Sequence, residues 1–209
     1  MSNITAQKLD VIETIKDGVG IGIKNLGPIL VNVLLWILTC WIPYINIGTT
    51  IGLSIGLIAK ASKGETISFT EIFDPKYRKF MGEFFLTSGL VAIGTMVGFA
   101  LMIIPGIIIG IAWLFAPLLV IDKGKNPTES LTISNNITYG NKWRIFGAIF
   151  LPSIAVSIAC GILGGIGGAT GVVAIMAIMV LISFAAGILL SVIVVGIQAS
   201  MYKQLASNV

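Results

Sequence analysis

Residues 101–144 read LMIIPGIIIGIAWLFAPLLVIDKGKNPTESLTISNNITYGNKWR. In order, the stretch holds an apolar hairpin turned at Pro105 and Gly106, a charged exit at 122–125, and a polar helix leading back to another apolar run. Asn126, Pro127 and Glu129 suit a helix start, with Asn as N-cap, Pro at the first position and Glu reaching back as in a capping box. That helix is expected to run to about Tyr139. The same unit recurs in looser form twice more, which predicts a polytopic membrane protein built from hairpins.

Composition agrees with that class. Of 209 residues, 56% are hydrophobic and 11% charged, whereas a soluble domain carries roughly a quarter charged residues. Apolar runs cover 26–45, 47–59, 84–104, 107–121, 145–163 and 172–201, and a span needs about 20 residues. The expected fold is all-α, with about six transmembrane helices in three hairpins and cytoplasmic amphipathic segments. Residues 1–25 form a cytoplasmic amphipathic N-terminal segment and 26–209 the six-span membrane domain. Acids among the first residues depart from a cleavable signal, so the N-terminus is expected to be retained. Ile4, Leu9, Ile12 and Ile15 recur at roughly helical spacing, as in a helix resting on a membrane surface.

Charge placement sets the orientation. All 13 Lys and Arg residues and all 9 acids fall outside the apolar runs and on alternate connections only. Because Lys and Arg bias a loop toward the cytoplasm, both termini are expected inside. Trp41 and Tyr44 suit a headgroup belt between the first two runs, and Pro43 is expected to end a helix there. The second and fourth runs are short for a ~30 Å hydrocarbon layer at ~1.5 Å per residue. They either extend into flanking residues or form re-entrant hairpins. The sixth is long and should tilt or project, after a flexible GGIGGATG connection.

Glycine concentrates in the spans. Gly48, Gly52 and Gly56 recur every fourth residue and form one smooth helix-packing face. Gly94 and Gly98, Gly106 and Gly110, and Gly161, Gly165 and Gly168 make further surfaces of this kind.

The residues that carry chemistry are sparse. Histidine is absent, no ionisable group lies in mid-span, and no Gly-rich phosphate loop leads into Lys-Ser or Lys-Thr. Cys40 and Cys160 stand alone in apolar runs and read as buried packing residues. Catalysis, a cofactor, a metal site and nucleic-acid binding are therefore not expected. Hydroxyls and amides such as Asn32, Thr95, Ser153, Ser183 and Gln198 either line a polar path or bond to a neighbouring helix or their own backbone. Glu83 reads as an interfacial acid partnered by Lys79.

Two basic clusters are candidate contacts for anionic lipid or an acidic protein. Lys76, Arg78 and Lys79 sit beside Phe69, Ile72, Phe73, Tyr77 and Phe80, a pattern suited to a surface segment resting on the inner leaflet. Lys142 and Arg144 flank Trp143 at the start of a span. Membrane lipids are the expected surroundings, and a homo-oligomer is a candidate assembly through the glycine faces.

Ile104-Pro105-Gly106, Phe115-Ala116-Pro117-Leu118, Asp122, Glu129-Ser130-Leu131, Ser134, Gly140, Trp143 and Ile145-Phe146-Gly147 together resemble a widespread group of prokaryotic six-span proteins. The group includes the YciC-like inner-membrane proteins and the membrane domain attached to some glycerophosphodiester phosphodiesterases. A weaker echo runs from Lys63-Gly64-Glu65 through Phe69 to Ile72-Phe73. The resemblance implies the fold and an inner-membrane location, and no catalytic residue is among its motifs. The functional expectation is a non-catalytic scaffold or accessory component, with a channel or transporter for a small solute or lipid as the alternative.

Overall fold

The computed structural model describes residues 8–207, so Ile4 lies outside the described residues. Among these the chain forms eleven α-helices, one π turn and one 3-10 turn, and no strand.

The first helix, α1 (Val11–Lys24), is capped by Asp10, whose carboxylate accepts from the Ile12 and Glu13 amides and offsets donors that the first turn cannot satisfy itself. It bends by 69° into α2 (Leu26–Thr39). After the turn at Trp41, one 21-residue helical run covers α3 (Pro43–Ile51), the π turn (Gly52–Gly56) and α4 (Leu57–Lys63). Gly64, at φ +70°, stops it, since only glycine takes that left-handed conformation without strain. A non-helical stretch then leads to the 3-10 turn (Glu71–Phe73) and α5 (Lys76–Lys79).

Next come α6 (Met81–Leu101) and α7 (Ile103–Ala112), then α8 (Ala116–Lys123) beyond a break at 113–115. The turn between α6 and α7 falls at the extended residue Met102, not at Pro105 and Gly106 as expected. Pro105 instead occupies the first turn of α7, where its missing N–H costs nothing. Pro43 behaves alike: it opens α3 and does not end α2. The polar helix α9 (Pro127–Thr138) starts where expected, and Glu129 reaches back to the Asn126 backbone N–H while pairing with Lys125 at 2.8 Å, but the Asn126 side chain makes no cap. Finally α10 (Lys142–Ala169) and α11 (Val173–Leu205) form the longest hairpin. The glycine-rich 164–169 stays helical, and the reversal is confined to 170–172, where Gly171 takes φ +63°.

The α6–α7 and α10–α11 hairpins touch each other through α7 and α10. Away from the charged end their sides are bare: Met96, Leu101, Val173 and Phe184 are each about 70% exposed. So large an apolar surface cannot face water in a stable monomer, and a hydrocarbon layer is the surrounding it fits. Five helical segments are long and apolar enough to cross a membrane, or six if the bent α1–α2 pair counts as one. The protein is an all-α polytopic membrane protein.

The packed core lies at the opposite, charged end. Leu57, Leu119, Ile145, Ile197 and Met201 are fully buried there. The last part of α11 is covered by α1 and α4, which accounts for its extra length. Gly18 and Gly22 of α1 lie against Ile197 and Val192, and Gly196 faces the Gly18 carbonyl, so the two backbones nearly touch. Ser200 donates to Asp17 at 2.7 Å beside this crossing. The amphipathic α1 thus turns its glycine face onto the last helix, while Ile12 and Ile23 remain exposed.

Candidate partner-binding face at the charged end

The 64–80 connection is the most polar part of this end. Its fold follows from Ile72 and Tyr77, two apolar side chains among charges that must be buried somewhere. They are buried against the protein and not spread on a leaflet. A Cβ at Gly52 would come within 2.8 Å of the Ile72 Cα, and one at Gly56 would overlap the Tyr77 ring. The face formed by Gly48, Gly52 and Gly56 therefore receives a folded loop, not the helix that its spacing suggests.

Asn32, wholly buried in α2, clasps this loop from the other side. Its amide nitrogen donates to the Ser68 carbonyl at 2.8 Å, and its oxygen accepts from the Ile72 amide at 3.0 Å. Satisfying buried backbone groups is what a polar side chain in this position can do.

Glu71 is the centre of the loop's charge. It accepts from Lys60 at 2.7 Å, Lys76 at 2.9 Å and the Tyr77 hydroxyl at 2.7 Å. Burial pushes the Glu71 carboxyl up, but the bonds from Lys60, Lys76 and Tyr77 outweigh it and hold the group below its ordinary range. Asp74 shares Lys76 at 2.9 Å; burial acts upward on it too, and the Lys76 amide and ammonium bring it below its ordinary value. Lys76 is correspondingly raised: burial lowers it, and the two carboxylates more than compensate.

A recess of about 210 Å³ opens beside this network, lined by Gly56, Lys60, Lys63, Lys76, Tyr77 and Asp122 among others. Each of its three lysines has a carboxylate partner, Lys63 pairing with Asp122. Asp122 also accepts from the Tyr202 hydroxyl at 3.0 Å, which ties α8 to α11. Chemically, the recess is a polar and internally neutralised pocket. Among the described residues no group of three or more His, Cys, Asp or Glu side chains is placed to hold a metal ion.

The two basic clusters are placed differently from each other. Arg78 lies along Gly48 with its guanidinium 5.4 Å from the Tyr44 ring centre, and Lys79 stands 5.3 Å from that of Phe80. Glu83 forms no salt bridge among the described residues, because Lys79 turns to Phe80. Lys142 donates to Asn135 at 3.1 Å, and Arg144 donates to the Leu9 carbonyl at 2.8 Å, while Asn141 accepts from the Leu9 amide. Trp143 between them is exposed. The structure therefore does not bring the clusters into one site.

Of the remaining glycines, Gly94 faces Trp113, Gly98 lies against the Gly106 backbone, Gly106 against Phe99, and Gly110 near Thr95. Gly161, Gly165 and Gly168 meet nothing within 4 Å, and the residue that packs on α11 is Gly167, through Met176 and Met179. Cys40 and Cys160 are half-buried, not fully enclosed. The α1–α11 glycine crossing was not singled out from sequence, although Gly18 and Gly22 carry the same four-residue spacing.

These features define an integral membrane protein with a packed polar end. A UPF0259 membrane protein of Wigglesworthia glossinidia brevipalpis is 44% identical over 73 residues, a match that takes in 35% of this chain and 27% of the relative. The similarity is to an uncharacterised prokaryotic membrane protein. No family model matches the chain, and no solved structure does.

Proposed function

We propose that this protein is a non-catalytic scaffold or accessory component of a prokaryotic inner membrane, with both termini on the cytoplasmic side. The supporting observation is the use made of its interior polar groups. Asn32 joins α2 to the 64–80 loop. Ser134 of α9 donates to the Ala112 carbonyl at 2.8 Å and accepts from the Phe115 amide at 3.2 Å across the break between α7 and α8. Glu71 and Asp122 gather lysines and tyrosines from different elements. Groups that line an aqueous path face open space, whereas these are consumed in joining segments. In this reading the outward side chains of the charged end, Lys79 and Trp143 above all, meet anionic lipid headgroups or an acidic protein, with roughly 1 kcal/mol per basic group near an anionic surface.

Two measurements test it. The purified chain in lipid vesicles should leave ion and small-solute flux at the level of protein-free vesicles. Photo-crosslinkers at Lys79 and Trp143 in native membranes should give anionic-lipid adducts or one discrete protein adduct. Flux that depends on the protein overturns the reading in favour of a channel or transporter.

A further inference from the structure

We infer that the α2–α3 hairpin does not cross the membrane: it inserts its tip into the lipid leaflet on the charged side and returns. Four observations lead there.

The first is what α3 touches. Ile51 at its end is buried in one cluster with Tyr77 and Phe84, and α3 packs on α5 and on α6. Phe84 belongs to the first turn of α6, and α5 immediately precedes it. A helix running from the far side of the bilayer would begin near the other end of α6, at Leu101.

Second, the run Pro43–Lys63 meets the charged ends of three different elements in succession. Its α3 part meets α6, its π turn meets α8, and its α4 part meets the covered end of α11. Lys63 at its end pairs with Asp122, next to Ile121, which packs on the Ile51 cluster. The run therefore passes beneath the two hairpins and not alongside them.

Third, the ionic loop follows the same helix along its length, from Lys60 bonded to Glu71 up to Arg78 lying on Gly48. Charged groups in hydrocarbon are strongly disfavoured, so this face of the helix lies in water or headgroups as far as Gly48.

Fourth, the hairpin is poorly made for crossing. The best window in Pro43–Lys63 has a mean hydropathy of 1.2, against 1.9 to 2.9 for the other four long segments. Its partner α2 has 14 residues, about 21 Å of helix against a ~30 Å layer.

What remains outside the protein is the tip. Leu38, Trp41 and Tyr44 are 73%, 85% and 72% exposed. An apolar residue beside Trp and Tyr matches the boundary between acyl chains and headgroups, and α3 packs on α6, whose own apolar side chains Met96 and Leu101 are exposed. The occupant facing the tip is thus one leaflet of lipid.

The full-length chain without Cys40 and Cys160 tests this in native membranes. Gly48→Cys with Arg78→Cys should form a disulfide on mild oxidation, because the tip and the start of α6 share one side. A cysteine in a short Gly-Ser insertion after Trp41 should react with an impermeant thiol reagent from the side on which Lys63→Cys reacts, or from neither side. Met102→Cys and Thr170→Cys should react from the opposite side. Reaction of the tip from the side of residues 102 and 170, or failure of the 48–78 pair to close, overturns the inference.

Discussion

The Asn32 side-chain oxygen accepts the Ile72 N–H at 3.0 Å, across 40 positions of sequence. One buried amide thereby ties the loop to α2, on the side opposite the glycine face that carries Gly52. Asn32→Leu keeps the volume and removes both loop bonds, leaving the Ile72 N–H buried without a partner, at a cost of about 1–3 kcal/mol. The measurable result is faster amide hydrogen exchange at 68–73, with α10 and α11 unaffected. Unchanged protection at Ile72 would show that Tyr77 and the glycine face hold the loop unaided.

Two glycines of similar sequence context should respond oppositely to a methyl group. Gly18→Ala places a Cβ within 2.6 Å of the Ile197 backbone, and overpacking of this kind costs about 1–3 kcal/mol. Gly165 meets nothing within 4 Å, so Gly165→Ala should be neutral or gain up to about 1 kcal/mol from helix propensity. Thermal unfolding in one detergent should rank them accordingly. An equal drop for both would mean that Gly165 faces protein, for example a second copy of the chain.

Acid should loosen the loop through Glu71. Its folded value lies below the ordinary 4.5, so its contribution to stability is complete above 4.5 and is lost as pH falls through the lower folded value. Asp74, lowered from 3.8, acts in the same direction. Lys76 is raised from 10.5, so its share is complete below that value and is lost only as pH rises through the higher folded one. Hydrogen exchange at amides 68–73, corrected for the pH dependence of the intrinsic rate, should therefore stay slow across neutral pH and quicken as the pH falls below 4.5. Glu71→Gln should already be fast at neutral pH. An identical acid response in Glu71→Gln would assign the effect to another carboxylate.

Much of the architecture was legible because hydrocarbon imposes a blunt rule. Long apolar runs had to be helices, and the charges had to leave them, so the runs at 84–104 and 172–201 mark α6 and α11 directly. The turns were harder: Pro105 and Pro43 break a helix from one side and start one from the other, and hydropathy does not separate the two. Glycine faces were ambiguous for a physical reason. Gly94 and Gly98 lie against Trp113 and Gly106, whereas Gly161 and Gly165, equally spaced, lie against nothing. In a bilayer both surfaces are apolar, so no hydrophobic penalty distinguishes packed from bare. Ile72 and Tyr77 read as leaflet contacts for the same cause, since an apolar side chain beside lysines suits lipid and a glycine groove alike. The Gly18–Gly196 crossing joins the two ends of the chain, and a periodicity within one helix cannot point to its partner.

The π turn at Gly52–Gly56 has a consequence for how chain length is read. Four residues of α-helix overshoot one full turn by roughly 40°, so glycines at every fourth position normally spiral away from one another. The wider i→i+5 winding takes back part of that overshoot, which leaves Gly48, Gly52 and Gly56 beneath one continuous strip of Arg78, Ile72 and Tyr77. Such a turn is equivalent to one surplus residue in an otherwise ordinary helix. Deleting the exposed Ser54 would remove that surplus, and the segment would relax to plain α-helix with α3 and α4 in the same register and Gly56 still under the tyrosine ring. The groove is in that sense an arithmetic property of the chain: Gly48 and Gly56 face the same loop because their phase is that of a helix one residue shorter than the sequence that joins them.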